Sequence, residues 1–162
     1  MTRATRNLGI LALVAVVLVV AVLWVGRRDY LRDPPALTAI DPAEVTHVSL
    51  EVPPVEPQAF EQRHGGWWRV QPTAARADDA RLDRLAKLAA TPVARWLPAG
   101  EITPSQVGLA RPSATLTLDG TRLEYGGLTA LDDLRYVRVG DKIALIPRQY
   151  SPEAMLTRNG KG

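Results

Sequence analysis

Hydrophobic and polar positions divide this chain into two parts with different rhythms. From Asn7 to Gly26 there is no charged residue, and nearly every position is Leu, Val, Ile, Ala or Gly. Such a run is long enough for a helix to cross a bilayer, since about 20 residues at 1.5 Å each span the roughly 30 Å hydrocarbon layer. It lacks the polar position every third or fourth residue that a soluble helix shows. It is also longer than a signal peptide's apolar stretch, and Leu23-Trp24-Val25-Gly26 supplies no small-x-small cleavage site. An uncleaved membrane anchor is therefore expected over 7–26, with Trp24, Arg27 and Arg28 as its membrane-interface residues. Residues 1–6 form a cytoplasmic tail in this reading, 27–36 a tether stiffened by Pro34-Pro35, and 37–162 a periplasmic domain.

Beyond the anchor the period shortens to two. Val48, Leu50 and Val52 alternate with His47, Ser49 and Glu51, the signature of a half-buried strand. Asp41-Pro42-Ala43-Glu44 in front of it reads as a single capped turn. Three two-residue connections, Gly65-Gly66, Asp119-Gly120 and Gly140-Asp141, lie between alternating segments and predict hairpins with primed turns. Helical spacing appears at Leu82, Leu85, Ala86 and Ala89 after Asp78, a natural N-cap, so a helix is predicted to Ala90. Thr103-Pro104 and Ser151-Pro152-Glu153 mark two further helix starts. The class expected is α+β: an N-terminal transmembrane helix, then a compact domain of antiparallel β-hairpins with a few covering helices. Hairpins followed by a helix occur twice, around 45–90 and 113–157, which leaves a diverged internal repeat open.

Charge narrows the function classes. The chain is +3 overall, but Arg3, Arg6, Arg27 and Arg28 flank the anchor, and the other 16 basic residues face all 17 acidic ones, so 16 − 17 = −1. Without a basic excess outside the anchor there is no surface to neutralise phosphates, and nucleic acid is not an expected partner. The charges flanking the anchor are nearly balanced, so orientation rests on the anchor's place ahead of a domain-sized segment. That expectation puts the N-terminus in the cytoplasm of a bacterial cell with a single pass through the inner membrane. Cysteine is absent, which excludes disulfides, thiolate metal sites and thiol chemistry.

Candidate chemistry is sparse. His47 and His64 are the two histidines, and neither has a ligand partner at metal-binding spacing. No Gly-x-Ser-x-Gly or phosphate-binding glycine loop is present, and Ser105 and Ser151 fit the helix starts they occupy. Asp132-Asp133 offers adjacent carboxylates, more simply read as a solvated turn. No cofactor and no metal are expected. Trp67 and Trp68, as neighbours in a strand, point to opposite faces. Trp68 shares a face with Val70 and is expected in the core. Trp67, with Arg69, is the candidate partner contact, packed beneath another element or exposed as an anchor. Trp96 is expected to cover a sheet edge.

One order of motifs resembles a known family. An anchor, Leu37-Thr38-Ala39-Ile40-Asp41-Pro42, Val45-Thr46-His47-Val48, Gly66-Trp67-Trp68-Arg69-Val70 with Pro72, Ala77-Asp78, Val107-Gly108-Leu109 with Pro112, and Arg135-Tyr136-Val137 before a closing hairpin are similar to the bacterial domain-of-unknown-function family 4340, over nearly all of residues 37–150. The resemblance implies no activity and no catalytic residues. Some members are encoded beside gliding-motility-type ABC transporter components, so it implies an accessory role in the cell envelope. Three functions remain open: a membrane-anchored protein that binds another protein or the cell wall, a small envelope hydrolase with an unrecognised site, and a structural subunit held to its assembly through the transmembrane helix.

Overall fold

In a computed structural model of the chain, the structure describes residue 18 and residues 34–98 and 100–157, the side chains of 155–157 excepted. The expected anchor, its interface residues Trp24, Arg27 and Arg28, and most of the tether lie outside the described residues. Among the described residues no helix is long and apolar enough to cross a membrane. From Pro34 onward the described residues belong to one compact unit. It begins earlier than the expected Leu37, because the end of the tether is docked: Val93 N–H donates to Pro35 O at 3.0 Å, and Leu37 N–H to Thr91 O at 2.8 Å.

Nine strands form a single antiparallel sheet among these residues. In chain order they are β1 (His47–Glu51), β2 (Gln58–Arg63), β3 (Gly66–Gln71), β4 (Ala75–Arg76), β5 (Arg95–Leu97), β6 (Ala114–Leu118), β7 (Thr121–Leu128), β8 (Leu134–Val139) and β9 (Lys142–Pro147). Across the sheet the order is β4-β3-β2-β1-β6-β7-β8-β9-β5. Two meanders, β1 to β4 and β6 to β9, thus join through their first strands. The helices are short: α1 (Asp79–Ala86), continued by a 3-10 turn at Lys87–Ala90, and α2 (Pro152–Thr157).

The expected α+β class is therefore corrected to a mostly antiparallel β domain with few helices. The difference has two physical sources. Ala75–Arg76 and Arg95–Leu97, which show no strand pattern of their own, become edge strands once β3 and β9 offer them free hydrogen-bonding edges. The predicted helix to Ala90 tightens after Ala86, so its regular α part is only two turns. Trp96 lies within the edge strand itself, partly buried against the core.

Where the turn chemistry is explicit, the strands follow it. Asp119 (φ 44°) and Gly120 (φ 87°) connect β6 to β7, and Gly140 (φ 61°) opens the β8–β9 turn. The β2–β3 turn is displaced by one residue from the expected Gly65-Gly66: His64 (φ 52°) and Gly65 (φ 75°) form it, and Arg63 pairs with Gly66. Gly66 then begins β3, and a Cβ on it would stand 2.2 Å from the Arg76 guanidinium.

Because β4 and β5 occupy opposite edges, the segment joining them has to traverse the sheet. It does so along one face. Leu82, Leu85, Ala86, Leu88 and Ala89 bury there against Val48, Leu50, Leu116, Leu118, Leu123, Val137 and Ile146. The side chain of Asp78 caps α1 by accepting from Arg81 N–H at 3.2 Å. α2 packs beside α1, held by an ion pair of 2.9 Å between the buried Arg135 of β8 and Glu153. The Tyr125 hydroxyl lies in this layer, fully buried and without a hydrogen-bond partner. Burial raises its pKa, the nearby Arg135 partly opposing the shift.

The return connection from β5 to β6 covers part of the other face. Leu97, Leu109 and Leu145 are buried, yet none of them belongs to the main core cluster. The 3-10 turn Pro104–Val107 and Leu109 press onto β7 at Gly126, whose missing side chain makes room. This crossing leaves the outward side of β1, β2 and β3 open.

Candidate interaction face

Strand register dictates what the open half of the sheet presents. Cross-strand partners point to the same side, so Trp68, Glu61 and His47 form one row through the pairs Glu61–Trp68 and His47–Glu61. A second row runs Ala59, Ser49, Thr117, Arg122. Between them is a shallow hollow of about 120 Å³, lined by Ala59 and Val70 with Ser49, Thr117 and His47 at its polar side; the Phe60 side chain turns to the covered face with its partner Val48.

Trp68 is the exposed tryptophan, 39 % accessible, and Trp67 is the core one at 2 %. This corrects the expectation that Trp68 is in the core, while Trp67 takes the packed one of its two expected places, beneath α1. Alternation holds, and Val70 lines the hollow on the same open side as Trp68, half-buried and outside the core; the one-residue bulge lies beyond them, where Ala59 pairs with Gln71 and Phe60 with Arg69. Helix α1 fixes the choice. Asp79 accepts from Trp67 N–H at 2.7 Å, and Asp83, one turn later, from the Trp67 indole N–H at 3.0 Å. The Trp67 N–H and then the Arg76 side chain hold the Asp79 carboxyl below its ordinary range, against the opposing effect of desolvation. Trp67 is consequently not available to a partner. Arg69 is half-buried, its Nε donating to Thr73 O at 2.9 Å across the turn after β3.

Around Trp68 the polar groups are organised. The Arg76 guanidinium stands 5.5 Å from its ring centroid, a cation–π distance, while also bonding Trp67 O at 2.7 Å and Asp79 at 2.6 Å. Arg63 is paired with Glu61. At the other end of the row, Asp119 in the β6–β7 turn accepts from His47 N–H at 2.8 Å and Thr46 N–H at 3.2 Å, closing the start of β1. The His47 ring lies 2.9 Å from the Thr46 hydroxyl. These bonds stiffen the face, so an incoming partner need not order it.

No protein-family model matches the chain, nor does any curated protein or solved structure. The resemblance to family 4340 rests on the sequence motifs alone.

The residues considered for catalysis do not converge. His47 sits on β1, His64 in the β2–β3 turn, and Asp132 and Asp133 in the loop between β7 and β8. Asp133 is 3.3 Å from Arg148. Among the described residues no group of three or more His, Asp or Glu is placed to hold a metal ion. A larger cleft of about 420 Å³ opens beside α1, lined by Asp41, Val45, Gln62, Trp67, Asp83 and Lys87. Its carboxylates are committed to the fold: Asp41 caps Ala43 N–H at 2.9 Å and Asp83 holds the indole.

One ionic cluster adjoins the open face. Glu124, largely buried, lies between Arg138, which donates a very short hydrogen bond, and Arg122 at 3.1 Å. The Arg138 hydrogen bond, together with the charges of both arginines, depresses the Glu124 pKa below its ordinary value of 4.5 despite desolvation. A folded-state pKa below the unfolded one contributes stability above about pH 4.5, and that contribution is lost as pH falls through the folded value. Urea unfolding is therefore expected to find Glu124→Gln less stable than wild type at pH 7, with the difference narrowing below about pH 4.5. A difference independent of pH would remove the ionic account.

Proposed function

We propose that residues 37–162 are the partner-binding domain of a bacterial envelope protein, docking a protein against the open half of the sheet with Trp68 at the centre of the contact. Segment 7–26 holds it at the inner membrane, and the domain works in the periplasm. The observation that carries this reading is the exposure of Trp68. A large aromatic side chain is left on a face whose other half is covered, with Arg76 over its ring, Glu61 opposite it and a hollow farther along the same strands. Buried contacts centred on Trp and rimmed by Arg are where binding energy concentrates at protein interfaces. The resemblance to family 4340 suggests an ABC-transporter or motility-type assembly as the setting. No cofactor enters this function.

The test uses the full chain in its own membrane. A photo-crosslinking residue at Ser49, on the rim of the hollow, is expected to give a defined partner adduct. Trp68→Ala is expected to reduce that adduct at least about tenfold, the scale of a central aromatic contact, with the melting temperature kept near wild type. Undiminished crosslinking in Trp68→Ala overturns the assignment.

A further inference from the structure

Leu131 is the most exposed large apolar side chain described, 93 % accessible, at the tip of the loop between β7 and β8, and Leu128 at the base of that loop is 41 % accessible. The loop is not slack. Thr129 N–H donates to Leu134 O at 2.7 Å, and Leu134 N–H returns to the Thr129 hydroxyl at 3.1 Å. Asp133 takes a left-handed φ of 51°, and Arg148 N–H and guanidinium bind it at 3.2 and 3.3 Å. The result is a preorganised peg carrying the carboxylate of Asp132 beside its apolar tip. Such a peg gives up little conformational freedom on docking.

A receptacle exists on the same molecule. A hollow of about 380 Å³ is lined by Trp96, Leu97 and Pro98 of the β5 edge, with Lys142 and Asp141 on its rim. It lies by the β8–β9 turn, whereas the peg precedes β8, so strand β8 separates them by roughly 20 Å, six residues at about 3.3 Å each. A peg and a hollow at opposite ends of one strand do not meet within a molecule. Between molecules they make a head-to-tail contact, which propagates when its rotation does not close a ring.

We propose that this chain self-associates head to tail, Leu131 of one copy seated among Trp96, Leu97 and Pro98 of the next, with Asp132 facing Lys142. The apolar tip supplies the burial, and because Asp141 stands beside Lys142 on the rim, only the orientation that sets Asp132 against Lys142 and away from Asp141 is favoured. The contact uses neither Trp68 nor the open half of the sheet, so it stands or falls separately from the partner face.

Sedimentation velocity of the full chain in detergent micelles, over about a hundredfold range of concentration, tests it. The sedimentation coefficient is expected to rise with concentration in the wild type and to stay constant in Leu131→Asp, whose exposed position leaves folding unaffected. Asp132→Lys and Lys142→Glu are each expected to weaken association by roughly tenfold, and the double variant to restore it. A wild type that sediments independently of concentration overturns the proposal. So does association that persists in Leu131→Asp, or single charge variants whose combination restores nothing. Uptake of the wild type by phosphatidylglycerol vesicles, lost in Leu131→Asp while self-association is unchanged, would assign the peg to a lipid surface instead.

Discussion

Trp67→Ala is expected to cost the domain about 3–5 kcal/mol of unfolding free energy, the range for removing a buried large aromatic side chain. The indole fills the space between β3 and α1, 2 % exposed, and its N–H is the donor to Asp83 at 3.0 Å. Truncation leaves a cavity and takes that partner from Asp83, while the backbone bond to Asp79 survives. Trp67→Phe separates the two effects. It keeps most of the packing and loses the hydrogen bond, for about 1 kcal/mol. Trp68→Ala, on the open face, is expected to stay within about 1 kcal/mol of wild type. Chemical denaturation followed by circular dichroism measures all three. Equal losses at 67 and 68 would contradict the assignment of one tryptophan to the core and the other to the surface.

Gly126→Ala carries the second large effect. A Cβ there would stand 2.5 Å from Val107 O and 3.0 Å from Leu109 Cγ, a clash with backbone that no rotamer change relieves. Overpacking of this kind costs about 1–3 kcal/mol. The expected outcome is a lower melting temperature together with faster proteolysis in 98–112, as the connection lifts from β7 and Leu97, Leu109 and Leu145 lose their cover. Gly127→Ala is the control. Its Cβ would meet Val107 O at 3.4 Å, an ordinary contact, and near-neutral behaviour is expected. Unchanged protease resistance in Gly126→Ala would mean that the connection is held elsewhere.

How much of the fold the sequence discloses depends on the range of the interaction. The Asp41 turn, the Asp78 cap and the Asp119-Gly120 turn are fixed by residues a few positions apart, and each forms where local chemistry puts it. Edge strands β4 and β5 carry no such mark. They are strands because β3 and β9 expose backbone groups beside them, and that depends on where distant segments arrive. The same holds for the candidate site. Alternation tells that Trp67 and Trp68 face apart, but the side on which α1 docks, with its two aspartates gripping Trp67, decides which of them is buried. Gly66-Trp67-Trp68 offered one usable signal: Asp79 and Asp83 are one helical turn apart, and such a pair can grip a backbone N–H and an indole N–H on one residue.

From the sequence alone came the uncharged 7–26 segment, the near-neutral charge of the remainder, the absence of cysteine chemistry and two of the three hairpin turns at their expected residues, because each depends on composition or on neighbours along the chain. Tertiary structure decided the mostly β class, the docking of Pro35 and Leu37 onto the domain, and the covered and open halves of the sheet. It also decided the choice of Trp68 over Trp67 and the placing of peg and hollow at opposite ends of β8. These depend on which strands become neighbours, and strand pairing is settled by burial summed over the whole sheet, which no local pattern records.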